Sequence, residues 1–165
     1  MSDDRPILVR PATVADRGVL GRLLAAQLQE QGLAVDDDAV ARTIELALAP
    51  QGIAWLVVAQ RLGLVVGLLL ANPIVSLGHG GSALRLEELF VASQHRRRGV
   101  ARALVEQVAA EARLHGMGAL ATEADEDGPG GACLAALGFR PLRRRRFIRG
   151  LGIGNRPAVD ATTGA

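Results

Sequence analysis

The stretch "LEELFVASQHRRRGVARALVEQ", residues 86–107, decides the reading of the fold, because its character changes twice within a few turns of chain. It opens inside an apolar, β-type run from Leu84 to Val91 that carries Glu87 and Glu88 at its centre. A tight basic turn follows, with Arg96, Arg97 and Arg98 in a row. From Val100 the pattern becomes helical: Leu104, Val105, Val108 and Ala112 share one face up to about His115, and Gly116 and Gly118 end it. A strand, a turn and a helix opening on Gly99 and Ala101 aim several backbone N–H groups at one anion, and the helix dipole adds positive potential. Gly99 lets the backbone approach closely and the small Ala101 avoids crowding. That geometry suits a pyrophosphate.

Working outward, the spacing predicts a short strand at residues 7–10. A helix follows, starting near Thr13 and Asp16, with Leu20, Leu23, Leu24 and Leu28 on its apolar face, and running to about Gln31. Asp36, Asp37 and Asp38 suit the positive end of a second helix, with Val40, Ile44, Ala47 and Leu48 as its apolar face and Pro50 and Gly52 as its stop. Ile53–Ala59 and Leu64–Ala71 are two nearly continuous apolar runs joined by a short turn, which predicts an antiparallel hairpin covered on both faces. Residues 72–83, with Pro73 and three glycines, are expected to form a mobile loop. Residues 119–123 predict a strand, residues 124–131 a loop, Ala132–Leu137 a short helix capped by Gly138, and Phe147–Ile148 a last strand. The order of elements is that of a mixed α/β (α+β) domain over residues 1–150, followed by a flexible tail at 151–165.

Composition bounds the function. With 165 residues, 49% apolar and 22% charged, the chain is a single globular domain with a sizeable core. No apolar run approaches the roughly 20 residues of a membrane span, the N-terminus does not resemble a secretory signal, and the lone Cys133 permits no internal disulfide. A cytoplasmic protein is the expectation. All 19 basic residues are arginine, yet the net charge is only +2, which argues against a dedicated nucleic-acid binder. His79, His95 and His115 lack metal-ligand spacing, so no metal is expected.

The basic turn is neither a Walker loop nor a dinucleotide fingerprint, because the Gly-Lys-Ser/Thr and two of the three glycines are missing. Arg96-Arg97-Arg98-Gly99-Val100-Ala101 instead resembles the acetyl-CoA signature of the GNAT superfamily of N-acetyltransferases, Arg/Gln-x-x-Gly-x-Gly/Ala. The surrounding residues 86–105 resemble that family's strand, turn and helix, and "LAALGF" at 134–139 resembles its later Leu-Gly-Phe segment. The resemblance implies a GNAT fold, a mixed and mostly antiparallel sheet flanked by helices, with acetyl-CoA as co-substrate. It further implies that N–H groups of residues 97–102, from Arg97 through Arg98, Gly99, Val100 and Ala101 to Arg102, hold the pyrophosphate beside Arg96. The strand Leu89, Phe90, Val91 would pair with the pantetheine arm, and an N–H near Val91 would polarise the thioester carbonyl. An amine of a small molecule (polyamine, aminoglycoside or amino acid type) or of a peptide would attack the acetyl carbon directly. Glu87 matches the family's general base, Glu88 standing where a related version has Asp. Side-chain alternation places Glu87 and Glu88 on opposite faces. Dimerisation is a habit of the family, so a homodimer belongs among the expectations.

The chain departs from the pattern in one chemically important place. Many family members protonate the departing thiolate with a tyrosine, and this sequence contains none; the position is Leu134. The usual Asn seven residues earlier is Asp127, and the glycines at 128, 130 and 131 weaken the following helix. Cys133 is a conceivable acid but is more simply a packing residue. Beside the transferase stand two other readings: a non-catalytic acyl-CoA-binding module, consistent with the missing tyrosine, and an arginine-rich nucleic-acid binder. The Arg143–Arg146 run reads first as a solvated strand and its flanks, and the acids Glu123, Asp125, Glu126 and Asp127 as a solvated loop able to favour a cationic amine.

Overall fold

The protein is described by a computed structural model over residues 6–124 and 127–142. Its described elements are β1 (Leu8–Pro11), α1 (Arg17–Glu30), α2 (Asp37–Leu48), β2 (Trp55–Arg61), β3 (Leu64–Ser76), β4 (Gly81–Val91), α3 (Val100–Leu114), β5 (Leu120–Ala121) and α4 (Pro129–Ala136). The strands lie in the order β1-β2-β3-β4-β5; the first three pairings are antiparallel and β4–β5 is parallel. This is the single mixed α/β domain that the sequence predicts. The expected strand through Phe147 and Ile148, the Arg143–Arg146 run and the tail at 151–165 lie outside the described residues.

The apolar runs of β2 and β3 are continuous because both faces of the sheet are buried. On one face Ala59, Leu69, Ala71, Leu84, Leu86 and Val91 meet Val100, Leu104, Val105, Val108 and Ala112 of α3. On the other, Leu56, Val58, Leu68, Leu70 and Phe90 meet Leu20, Leu23 and Leu24 of α1 and Ile44 of α2. The start of α2 follows its acids: the Asp36 carboxylate accepts from the backbone N–H groups of Asp38 and Ala39. Buried Asp16 ties the turn before α1 to β1, accepting two bonds of 2.8 Å from the Arg10 guanidinium and one of 2.7 Å from the Thr13 N–H. These contacts hold its carboxyl well below the usual carboxylate range, the Arg10 bonds contributing most.

The mobile loop expected at 72–83 is instead the far end of a long hairpin. β3 continues to Ser76, one turn of 3-10 helix covers Leu77–His79, and β4 begins at Gly81. Pro73 fits because it lies beyond Trp55, where β2 begins, so one edge of β3 has no described strand beside it that needs an N–H. Gly80 and Gly81, at φ of 78° and 119°, make the reversal. α4 also starts earlier than expected, with Pro129 at its first position, where a missing N–H costs nothing.

Candidate active site

Two features place the basic turn. Gly67 of β3 lies across from Val91, and a Cβ there would come within 2.9 Å of the Phe90 carbonyl oxygen and 3.3 Å of both Val91 and Val100. Only glycine lets the first residue of α3 settle onto the sheet at the end of β4. The turn itself is folded by Arg96, whose Nε donates to the Val91 carbonyl at 2.7 Å while its guanidinium grips Glu30 of α1 at 2.7 and 2.9 Å and lies over the Phe90 ring. The Arg96 side chain therefore shapes the loop and points back to α1.

The backbone beyond it has the handedness of an anion nest. Arg97 and Gly99 both lie in the left-handed region, at φ of 58° and 81°. For arginine that conformation is uncommon, and such strain collects at ligand-binding loops. Glycine is needed at 99 for its φ rather than for crowding, since a Cβ would meet only Ile7 at 4.0 Å. The first helical N–H groups, those of Val100, Ala101 and Arg102, have no acceptor within α3. Unpaired donors of this kind at a helix start, behind a left-handed turn, are a general feature of anion-binding loops. Arg102 bridges onward: its guanidinium donates at 2.8 Å to the carbonyl of Ala136 at the end of α4, fixing that short helix beside α3.

Beside the nest, the sheet opens. β5 pairs with β4 only at Leu84–Leu120 and Arg85–Ala121, and the Thr122 hydroxyl makes the last bridge, to the Leu86 carbonyl at 3.1 Å. From Glu87 to Val91, including Leu89 and Phe90, the outer edge of β4 has no strand partner among the described residues. A small cleft of about 50 Å³ marks the parting, lined by Arg85, Leu86, Glu87 and Glu123. A larger concavity of about 600 Å³ lies toward the other end of α3, against Trp55, Gln107, Glu111 and His115, remote from the nest.

The parting coincides with a β-bulge. Leu70 pairs with Glu88 and Ala71 with Leu86, so Glu87 is an extra residue in β4. The expectation that Glu87 and Glu88 face opposite sides fails for this reason. Leu86 and Leu89 both join the α3-side core, whereas Glu88 and Phe90 turn toward α1. Glu87 takes that side too, accepting from Arg85 Nε at 2.6 Å and from Asn72 Nδ2 at 3.4 Å. Glu88 accepts from Gln27 Nε2 of α1 at 2.5 Å. Burial pushes the Glu88 carboxyl up; the Gln27 bond opposes this, and the charge of Glu87 adds to it. The slip was written in the sequence: the apolar positions 84, 86, 89 and 91 change parity between 86 and 89, which an unbroken strand cannot do. Gln27, by contrast, carries no such signal.

In α4, Leu134 is half-buried, and Cys133 is exposed rather than packed. Among the described residues no group of three or more His, Cys, Asp or Glu is placed to hold a metal ion, and no helix is long and apolar enough to cross a membrane.

The domain is thus a mixed sheet that parts beside the open N-terminus of α3. The chain belongs to the acetyltransferase (GNAT) family, whose model matches residues 20–139. It is a GNAT-type N-acetyltransferase. Among solved structures it is similar to an integron cassette protein, HFX_CASS3, from the mobile metagenome of Cole Harbour Salt Marsh (TM-score 0.77, 24% identity, 91% of this chain and 92% of that one). It is also similar to the aminoglycoside N-acetyltransferase AAC(6')-Iy in complex with CoA (0.75, 22%, 92% and 99%). A third is the ribosomal-protein-alanine N-acetyltransferase from Brucella melitensis biovar Abortus 2308 (0.70, 20%, 89% and 100%). At these identities the likeness concerns the fold. No curated protein matches the sequence.

Proposed function

We propose that this protein transfers the acetyl group of acetyl-CoA to a primary amine of a small molecule or peptide, by direct attack in a ternary complex. The observation that carries the reading is the parting of β4 from β5 immediately beside the nest at Arg97–Arg102. In this reading the N–H groups of Val100, Ala101 and Arg102 and the turn at Arg97, Arg98 and Gly99 take the pyrophosphate. The open edge of Leu89, Phe90 and Val91 pairs with the pantetheine arm and offers an N–H to the thioester carbonyl, where negative charge develops. Arg96 acts by holding the turn in shape.

An amine is mostly protonated at pH 7 and must lose a proton before it attacks. The carboxylates at the bulge, Glu87 and Glu88, stand next to the open edge and supply the base. Together with Glu123 they favour a cationic acceptor, in keeping with polyamines, aminoglycosides or free amino termini. The leaving thiolate, with a conjugate acid near the ordinary thiol pKa of about 8.5, departs with water as its acid. Loss of a positioned acid costs on the order of 10²-fold or more in rate, so turnover slower than that of a tyrosine-bearing relative is expected.

A second reading, a non-catalytic acyl-CoA-binding module, is favoured by Leu134 in the tyrosine position. Two measurements separate the readings. Calorimetric titration with acetyl-CoA should give saturable binding that Gly99→Glu abolishes, because that residue needs φ near 81° and its neighbours face the ligand. Absence of binding by the folded protein sinks both readings. Binding without thioester turnover across a panel of polyamines, aminoglycosides and peptides leaves the module.

A further inference from the structure

The larger concavity lies outside the site described above. It holds about 600 Å³ against the second half of α3, where the face of β1 and β2 extends past the helix. Its floor is apolar: Val9, Trp55 and Val57 pack at the margin of the α3-side core and are only half-buried. The volume is that of a small-molecule site, and a sheet face left uncovered by its own chain forgoes hydrophobic stabilisation. Ile53 and Leu114, chain neighbours of the lining residues Ala54 and His115, are 70% and 82% exposed. Apolar surface gathered in this way marks an interaction site.

The wall above that floor selects the ligand. Gln107, Glu111 and His115, one turn apart along α3, form a polar stripe over it. His115 Nδ1 meets the Glu111 carbonyl oxygen at 2.9 Å; a carbonyl only accepts, so Nδ1 carries the hydrogen and the other nitrogen of the neutral ring is an acceptor. The Glu111 carboxylate stands 3.8 Å from Nδ1, beyond hydrogen-bonding range. Two helix C-termini also meet here, since Ala47 and Leu48 belong to the last turn of α2 and Glu111 to the last turn of α3. Both dipoles place partial negative charge at the concavity. Arg10, the one arginine in the lining, is bound to Asp16. The Trp55 ring, braced edge-on by the His115 ring at 5.2 Å between centroids, adds a π-surface that attracts cations.

We propose that this concavity is a second binding site, for an organic cation with an apolar or aromatic body. The body lies on Val9, Trp55 and Val57, and the ammonium or guanidinium donates to Glu111 and His115. The assignment does not rest on the acetyl-transfer reading. At about 1.5 Å of rise per residue, Glu111 lies roughly 16 Å along α3 from Val100 at the nest, so a cation held there is not the amine that meets the thioester.

Trp55 is the sole tryptophan of a chain without tyrosine, so the intrinsic emission of the full-length protein reports this site alone. Titration with phenethylammonium should change that emission saturably. Phenethyl alcohol, which keeps the body and loses the charge, should bind about tenfold more weakly. Phenylpropionate has the wrong charge and spermidine lacks the body, and neither should give a saturable change. Glu111→Gln should weaken phenethylammonium about three- to fivefold and leave phenethyl alcohol unchanged. Gln107→Arg, at an exposed position where arginine suits the helix and pairs with Glu111 one turn on, should abolish the preference for the cation.

Equal affinity for the ammonium, the alcohol and the carboxylate would overturn the proposal, as would no response to any of them. Emission that shifts with protein concentration alone, together with sedimentation, would mean that a second copy covers the concavity and would overturn it too. Acetyl-CoA affinity, measured by calorimetry, should be the same in Gln107→Arg as in the parent. Failure of the parent to bind acetyl-CoA would strike the acetyl-transfer reading and leave this one standing.

Discussion

Two carboxylates in this fold are displaced in opposite directions, and their effects on stability have opposite signs. Asp16 is held low by Arg10, so its contribution is present above the unfolded value of about 3.9 and is lost as pH falls through its folded value. Asp16→Asn should therefore destabilise the protein at pH 7, with the deficit against the parent closing as both are taken to strongly acid pH. Glu88 is held high by burial. Between its unfolded and folded values the native state binds more protons than the unfolded state, so stability falls as pH rises through that window. At neutral pH the ionised group is a net burden. Glu88→Gln should raise the urea midpoint at pH 7 with unchanged slope, and that gain should shrink toward pH 4. A variant that becomes more stable as it loses turnover is the mark of a strained functional group. Equal or lower stability at pH 7 would show that Glu88 is comfortably solvated. Neither displacement was legible in the sequence, where Glu87 and Glu88 are twins; their difference arises from Arg85 and Gln27, the second 61 residues away in the chain.

At the scale of elements, most of the fold was legible because periodicity reports which face is buried. The α1, α2 and α3 faces, the β2–β3 hairpin and the strand–turn–helix at 86–107 all fall where apolar spacing puts them. What failed was local. Residues 72–83 carry loop chemistry, Pro and Gly, yet the strand continues there because its free edge tolerates Pro73. The bulge at Glu87 changes register without changing composition, and only the parity of Leu84, Leu86, Leu89 and Val91 betrays it. Gly67 was not singled out at all, being one small residue in an apolar run. Its role yields a prediction about how β3 supports α3. Gly67→Val would place a Cβ 2.9 Å from the Phe90 carbonyl oxygen, a contact that backbone cannot relieve cheaply. Overpacking of this kind costs about 1–3 kcal/mol, and a valine stands toward the upper end. Because Val100 must move, acetyl-CoA affinity should fall together with the urea midpoint. A variant with lowered stability and full affinity would show that the nest does not depend on the seating of α3.

Charge at the scale of the whole molecule separates a cofactor cradle from a nucleic-acid surface. The chain has 19 arginines against 17 acids, so its net charge is only +2, and described arginines are already engaged by acids, among them Arg10 with Asp16, Arg85 with Glu87 and Arg96 with Glu30. At the turn, exposed Arg97 and Arg98 accompany the left-handed backbone and the first N–H groups of α3, a compact arrangement that in the acetyl-transfer reading takes one pyrophosphate rather than a duplex. A ligand that binds only the native state adds RT ln(1 + [L]/Kd), about 2.7 kcal/mol at a hundredfold excess over Kd. For a domain of this size each kcal/mol moves Tm by roughly 2–4 °C, so acetyl-CoA should raise Tm by roughly 5–11 °C. The increment should survive a rise from 50 to 200 mM salt with modest loss and vanish in Gly99→Glu. A duplex oligonucleotide should give no shift at either salt. If the oligonucleotide stabilised the protein at low salt and lost its effect steeply at high salt while acetyl-CoA did nothing, the arginines would be reading a polyanion, and the parting of β4 from β5 would be without a tenant.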